Sequence, residues 1–167
     1  MQPDEKSDGA ICTNDLISVS LALSLRGRIQ YFVTRYKFSH DQEGRAAILL
    51  DGEEVLRGNY YNKFIKSDLF PRDEKYSHRL RNEYSYIDEV ALELGCFDQR
   101  SFYSAFEEFD NQGIEDILRS DNLLVRIFAI LDRRVGKRRL IKMVNEIENE
   151  PDIFQFFYNV RVEAEQI

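Results

Sequence analysis

Few residues in this chain have the types and spacing that chemistry demands. His40-Asp41 could ligate a divalent metal and activate water, but such a centre needs further His and Asp ligands, and His78 is the only other histidine. The Asp41-to-Gly44 segment reads more simply as a polar loop. Cys12 and Cys96 lie far apart and lack the spacing of a metal knuckle or the signature of a thiol enzyme, so both are read as reduced thiols. Asp51, Glu53 and Glu54 could face a metal at a hairpin tip, yet Asp51 is accounted for by its turn and exposed carboxylates on an edge strand are ordinary. Neither a Walker loop nor a dinucleotide glycine fingerprint occurs. An enzyme would have to assemble a site from dispersed groups such as Tyr36, His40, Asp41, Tyr61 and His78. The sequence therefore nominates no catalytic, cofactor-binding or metal-binding set.

Binding is better represented than catalysis. The stretch LDRRVGKRRL (131–140) carries five basic side chains in ten positions of a chain whose formal charge is -7. Arg133 and Arg134 are expected in the last turn of one helix, where cations complement the macrodipole. Lys137, Arg138 and Arg139 are expected in the first turn of the next, where positive charge is unfavourable and free N–H groups attract anions. Two readings stay open. The carboxylates of Glu146, Glu148, Glu150, Asp152, Glu163 and Glu165 could neutralise the corner from within, or an external phosphate or acidic surface could dock there through bidentate arginines. Arg161 falls beside an apolar stripe, so a structural ion pair with Asp132 or a neighbouring carboxylate is expected. Opposite in sign is the run Glu107, Glu108, Asp110, Glu115 and Asp116, a candidate face for a basic partner.

The aromatic and basic stretch NYYNKF (59–64) could contact single-stranded nucleic acid, but Asp68, Asp73 and Glu74 surround it and core packing or a protein interface fits better. The sequence pI near 5.0 likewise disfavours nucleic acid as a partner. No segment reaches the roughly 18 uncharged apolar residues of a membrane span. LISVSLALSL (16–25) follows acidic residues and precedes Arg26-Gly27-Arg28, so it does not read as an export signal. No membrane association is expected, and the localisation expected is cytoplasmic.

The elements that must position these groups follow from periodicity. With 43% apolar residues in 167, including 12 Phe and 9 Tyr, one domain over 11–167 with a disordered tail over 1–10 is expected. Ser, Ala and Leu favour a helix over 14–25, despite an alternating pattern there. RIQYFVTRYKF, RAAILL and EEVLRG, the last two joined by Asp51-Gly52, predict a three-stranded antiparallel meander over about 28–57. Helical spacing follows. A helix over 73–94 ends at Gly95; Phe102, Ala105, Phe106 and Phe109 mark the next; and Ser120-Asp121 cap one carrying Leu123, Leu124, Ile127, Phe128 and Leu131. Leu140, Ile141, Val144 and Ile147 mark a further helix after Gly136, and Pro151 opens the last. The expected class is α+β, with the meander packed against a mainly helical C-terminal part.

The stretches LRGRIQYFVTRYKFSHDQEGRAAILLDGEE and LDRRVGKRRL with FFYNVRVEAE resemble a family of short uncharacterised bacterial proteins. That resemblance implies a bacterial cytosolic protein and carries no activity or cofactor. Residues 120–152 also look like one unit of a HEAT-type helical repeat, which implies a helical scaffold with a protein-binding surface. Together these readings favour a protein-interaction module, of immunity or antitoxin type, whose partner is another protein. The alternatives are an anion or nucleic-acid binder at 133–139 and an enzyme with an unfamiliar Asp/His/Tyr site.

Overall fold

Asp51 and Gly52 both adopt positive φ, 52° and 90°, which is the backbone a two-residue hairpin requires. Around that turn, in a computed structural model that describes residues 19–34, 44–59 and 87–167, three strands pair in sequence order. They are β1 (Ile29–Val33), β2 (Arg45–Leu50) and β3 (Glu53–Asn59), all antiparallel, with Val33 opposite Ala46 and Arg45 opposite Asn59. A register shift at Ile48/Leu49 interrupts the β2–β3 ladder. Arg28 clamps the turn from outside, its Nη2 donating to Asp51 Oδ2 at 2.8 Å. On β1 the alternation is clean: Ile29, Tyr31 and Val33 point into the core.

Six α-helices follow among the described residues: α1 (Glu89–Glu93), α2 (Gln99–Asn111), α3 (Ile114–Ile117), α4 (Leu123–Leu131), α5 (Lys137–Ile147) and α6 (Asp152–Glu165). The architecture is thus α+β, a meander with a mainly helical C-terminal part. At its centre is α4, whose sequence LLVRIFAIL leaves eight of nine residues buried, as expected of a helix apolar on all sides. Phe128 on α4 is ringed edge-on by Tyr31 at 5.4 Å, Phe102 at 5.1 Å and Phe109 at 5.8 Å, and these contacts tie sheet, α2 and α4 into one core.

Local side chains redraw several expected boundaries. The helix expected over 14–25 is not continuous in its described part. Leu21 forms a bridge with Asp132 and only a 3-10 turn, Leu23–Leu25, follows. Leu21, Ala22 and Leu25 are buried while Val19 and Leu23 are exposed, so the burial keeps a helical spacing although the backbone forms only this short turn. Of the helix expected over 73–94, residues 87 and 88 are non-helical. The Asp88 side chain accepts from Ala91 N at 2.9 Å and starts α1 there, and Gly95, at φ 65°, ends it. The cap of α4 is Asn122, accepting from Leu124 N at 3.1 Å, and not Ser120-Asp121; Ser120 Oγ accepts instead from Asn122 N. On α5 only Leu140 and Ile147 of the expected apolar face are buried, because Ile141 and Val144 point to solvent. The expected tail 1–10, Cys12, Tyr36, His40, Asp41, His78 and residues 60–64 of NYYNKF, Tyr61 among them, lie outside the described residues.

Candidate functional site

The basic corner is built where α4 stops and α5 begins. Helix α4 ends at Leu131, so Arg133 and Arg134 fall in the connecting turn and not in a last helical turn. Asp132 is the cause. Its backbone turns extended, pairs with Leu21 and sends its carboxylate back over the turn. That carboxylate, 1% exposed, accepts from Arg134 N at 2.6 Å and from Arg134 Nε at 3.0 Å. The Arg134 guanidinium then lies 5.0 Å from the centre of the Phe109 ring and reaches the carbonyl of Gln112, the residue that caps the end of α2. It therefore complements the negative end of α2, a helix distant in sequence.

On the other side of Gly136, which caps α5 without a side chain, the cations of the first turn are drawn onto separate elements. Lys137 Nζ donates to the Glu165 carbonyl at 2.7 Å and stands 3.8 Å from its carboxylate, at the end of α6. Arg139 pairs with Glu115 on α3. Arg133 and Arg138 are exposed and make no ion pair among the described residues.

Beneath the corner Arg161 is 3% exposed. The sequence predicts Asp132 or a neighbouring carboxylate as its partner. Its Nη2 donates to the Val135 carbonyl at 2.9 Å and lies 3.2 Å from Glu165 Oε1, one turn along α6, while Asp132 is occupied by Arg134 and acts on Arg161 through space. Burial lowers the guanidinium's affinity for its proton; Glu165 first and then Asp132 hold it up. Nε and Nη1 of Arg161 find no hydrogen-bond partner among the described residues, so the two carboxylates matter all the more. Glu165 is the hub of the group, since Ser24 Oγ also donates to it at 2.6 Å. The same Asp132 adds to the burial that pushes the Tyr31 hydroxyl's pKa upward.

The carboxylates nominated to neutralise the corner divide. Glu165 serves it, Glu150 pairs with Arg126 over the face of Phe154, and Glu146, Glu148, Asp152 and Glu163 form no ion pair among the described residues. The other half of the neutralisation comes from Asp132 and Glu115, one inside the basic stretch and one on the acidic run. That run divides too. Glu108 accepts from Ser120 Oγ and Glu115 holds Arg139, whereas Glu107, Asp110 and Asp116 are exposed and form no ion pair among the described residues.

Residues 13–162 match the model of the SF0329 protein family. The chain belongs to that family. Searches of curated proteins and of solved structures find no match. The span matched to the SF0329 family holds Asp132, the corner and the acidic run, and Glu165 lies three residues beyond it.

Elsewhere a groove of about 750 Å³ lies between β3 and α1. Its Arg45 and Glu54 form a bidentate pair, with N–O distances of 3.0 and 2.6 Å. Among the described residues no group of three or more His, Cys, Asp or Glu is placed to hold a metal, and no helix is long and apolar enough to cross a membrane. Sequence reasoning missed Glu115 as the partner of Arg139, Gln112 as a contact of Arg134, and the Arg126–Glu150 pair. Each joins residues more than twenty positions apart, and no local pattern announces it.

Proposed function

We propose that this chain is a non-enzymatic protein-interaction module acting in the bacterial cytoplasm, which covers a basic site on a partner protein in the manner of an immunity or antitoxin-like inhibitor. The observation that carries this reading is the unequal use of charge. The cations of the corner are largely spent on internal carboxylates, while Glu107, Asp110 and Asp116, on α2 and α3, have no ion-pair partner among the described residues in a chain of net charge -7. Such a surface attracts a basic partner over a distance and orients its approach, and the internal pairs of the corner tie α2, α3, α5 and α6 together behind it. The rival reading, an anion or nucleic-acid site at the corner, retains Arg133 and Arg138 as its cations without an ion pair among the described residues.

The test is capture from a lysate of the native host. Immobilised wild-type chain is compared with a Glu107→Lys/Asp110→Lys/Asp116→Lys variant, and the identified partner's association rate is then measured against salt. A basic protein retained by the wild type alone, associating more slowly as salt rises, is expected. Equal retention by both chains, or retention of nucleic acid in place of protein, sinks the proposal.

A further inference from the structure

Helix α5 leaves one stripe of its surface uncovered. Lys137, Ile141, Val144 and Glu148 recur at spacings of four, three and four, which places them in a line along the helix. All four are exposed, Ile141 by 57% and Val144 by 54%, although both are large apolar residues. Leu140 and Ile147, on the neighbouring face, already supply the contact with the core. The stripe is thus apolar at its centre, cationic at its start and anionic at its end, over roughly 16 Å of helix.

That order of charges is self-complementary when reversed. We infer that α5 is a homodimerisation helix, packing antiparallel on α5 of a second copy about a two-fold axis that passes between Lys142 and Met143. Such an axis sets Ile141 of each copy against Val144 of the other, and Lys137 of each against Glu148 of the other, so every contact occurs twice. A parallel pairing would instead oppose like charges. Glu148 has no ion-pair partner among the described residues, and Lys137, 56% exposed, uses its bond to the Glu165 carbonyl without exhausting its three N–H donors. Arg138, exposed beside the stripe, adds a second cation near the partner's Glu148. One helix pair is smaller than the roughly 800 Å² per subunit of a standard interface, so the dimer is weak and concentration-dependent. It uses none of Glu107, Asp110 and Asp116, and it stands or falls independently of the proposed function.

Sedimentation equilibrium on the full chain over a wide concentration range tests this. Reversible dimerisation weakened by salt is expected. Ile141→Asp, at an exposed position, should abolish association while the circular dichroism spectrum and the thermal transition are retained. Lys137→Glu and Glu148→Lys should each weaken self-association by about tenfold or more, because each opposes like charges at both ends. Mixed together, the two variants should associate as a heterodimer as well as the wild type does, since complementary charge is restored at both ends. A chain that stays monomeric at every concentration, whatever else covers the stripe, overturns the inference. So does a dimer indifferent to Ile141→Asp, or a mixture no tighter than its components.

Discussion

The corner around Gly136 and the carboxylates of α2 and α3 are both dense in charge, yet they differ in what the charge is used for. At the corner, Asp132 at 1% and Arg161 at 3% exposure are held below the surface, and two of the ion pairs, Lys137–Glu165 and Arg139–Glu115, join elements far apart in sequence. On α2 and α3, Glu107, Asp110 and Asp116 stay in water with no ion pair among the described residues. A buried charge must be matched or it destabilises the fold, whereas an exposed one costs almost nothing and projects a field. Charge density in a sequence therefore says little until burial is known. The comparison predicts a steep order of effects on stability.

The largest belongs to Glu165→Ala. Removing the hub leaves the buried guanidinium of Arg161 with the Val135 carbonyl and only the distant Asp132 as counter-charge, and a loss of about 3 kcal/mol is expected in urea denaturation. Arg161→Leu should cost less, about 1 kcal/mol, because it removes the desolvated charge along with its partner bond and orphans only the Val135 carbonyl. If the arginine variant proves the more damaging, Arg161 stabilises by packing and not by charge balance. Next comes Asp132→Ala, which unpins Arg134 and breaks the turn that ends α4; about 2 kcal/mol is expected by the same measurement.

How much of this the sequence revealed follows from the range of the interactions. The meander was legible because Asp51-Gly52 and period-two alternation are local, and α4 was legible because LLVRIFAIL can be satisfied only by burial. The corner's chemistry was half legible: its need for carboxylates follows from helix electrostatics, but their identity depends on which chain segments meet. Glu115 reaches Arg139 across 24 positions and Ser24 reaches Glu165 across 141, distances at which periodicity carries no information. The boundary at Asp88 was missed for a different reason. The apolar spacing runs unbroken through Ile87, Ala91 and Leu94 and hides the start of a helix there, whereas in the structure the Asp88 cap sets it.

The sheet offers an intermediate case that separates the two regimes by pH. Glu54 is partly covered and bidentate with Arg45, and this hydrogen-bonded pairing lowers its pKa below the ordinary 4.5. Asp51, held by Arg28, is lowered too, although it is exposed. A carboxyl whose folded pKa is depressed binds fewer protons than in the unfolded chain, so its stabilisation is complete above the unfolded value and is lost as pH falls through the folded one. Stability should thus decline as pH drops below about 4.5, and Glu54→Gln should flatten that part of the profile while lowering the neutral plateau slightly. Denaturation curves taken between neutrality and strong acid check this; a variant with an unchanged acid limb would show that the Arg45–Glu54 pair does not survive in solution.

The smallest effect on stability is the most telling. Reversing Glu107, Asp110 and Asp116 to lysine deletes no contact that the structure records, so each change should stay within about 0.5 kcal/mol. Because the chain carries a net charge of -7, relief of self-repulsion should push the combined effect toward added stability at low salt and toward zero as salt rises. A triple variant that folds as stably as the wild type yet fails to capture a basic partner would separate the two uses of charge in one molecule. A triple variant that unfolds would mean these carboxylates are structural, like Glu165, and the field they create would then be a by-product of the fold.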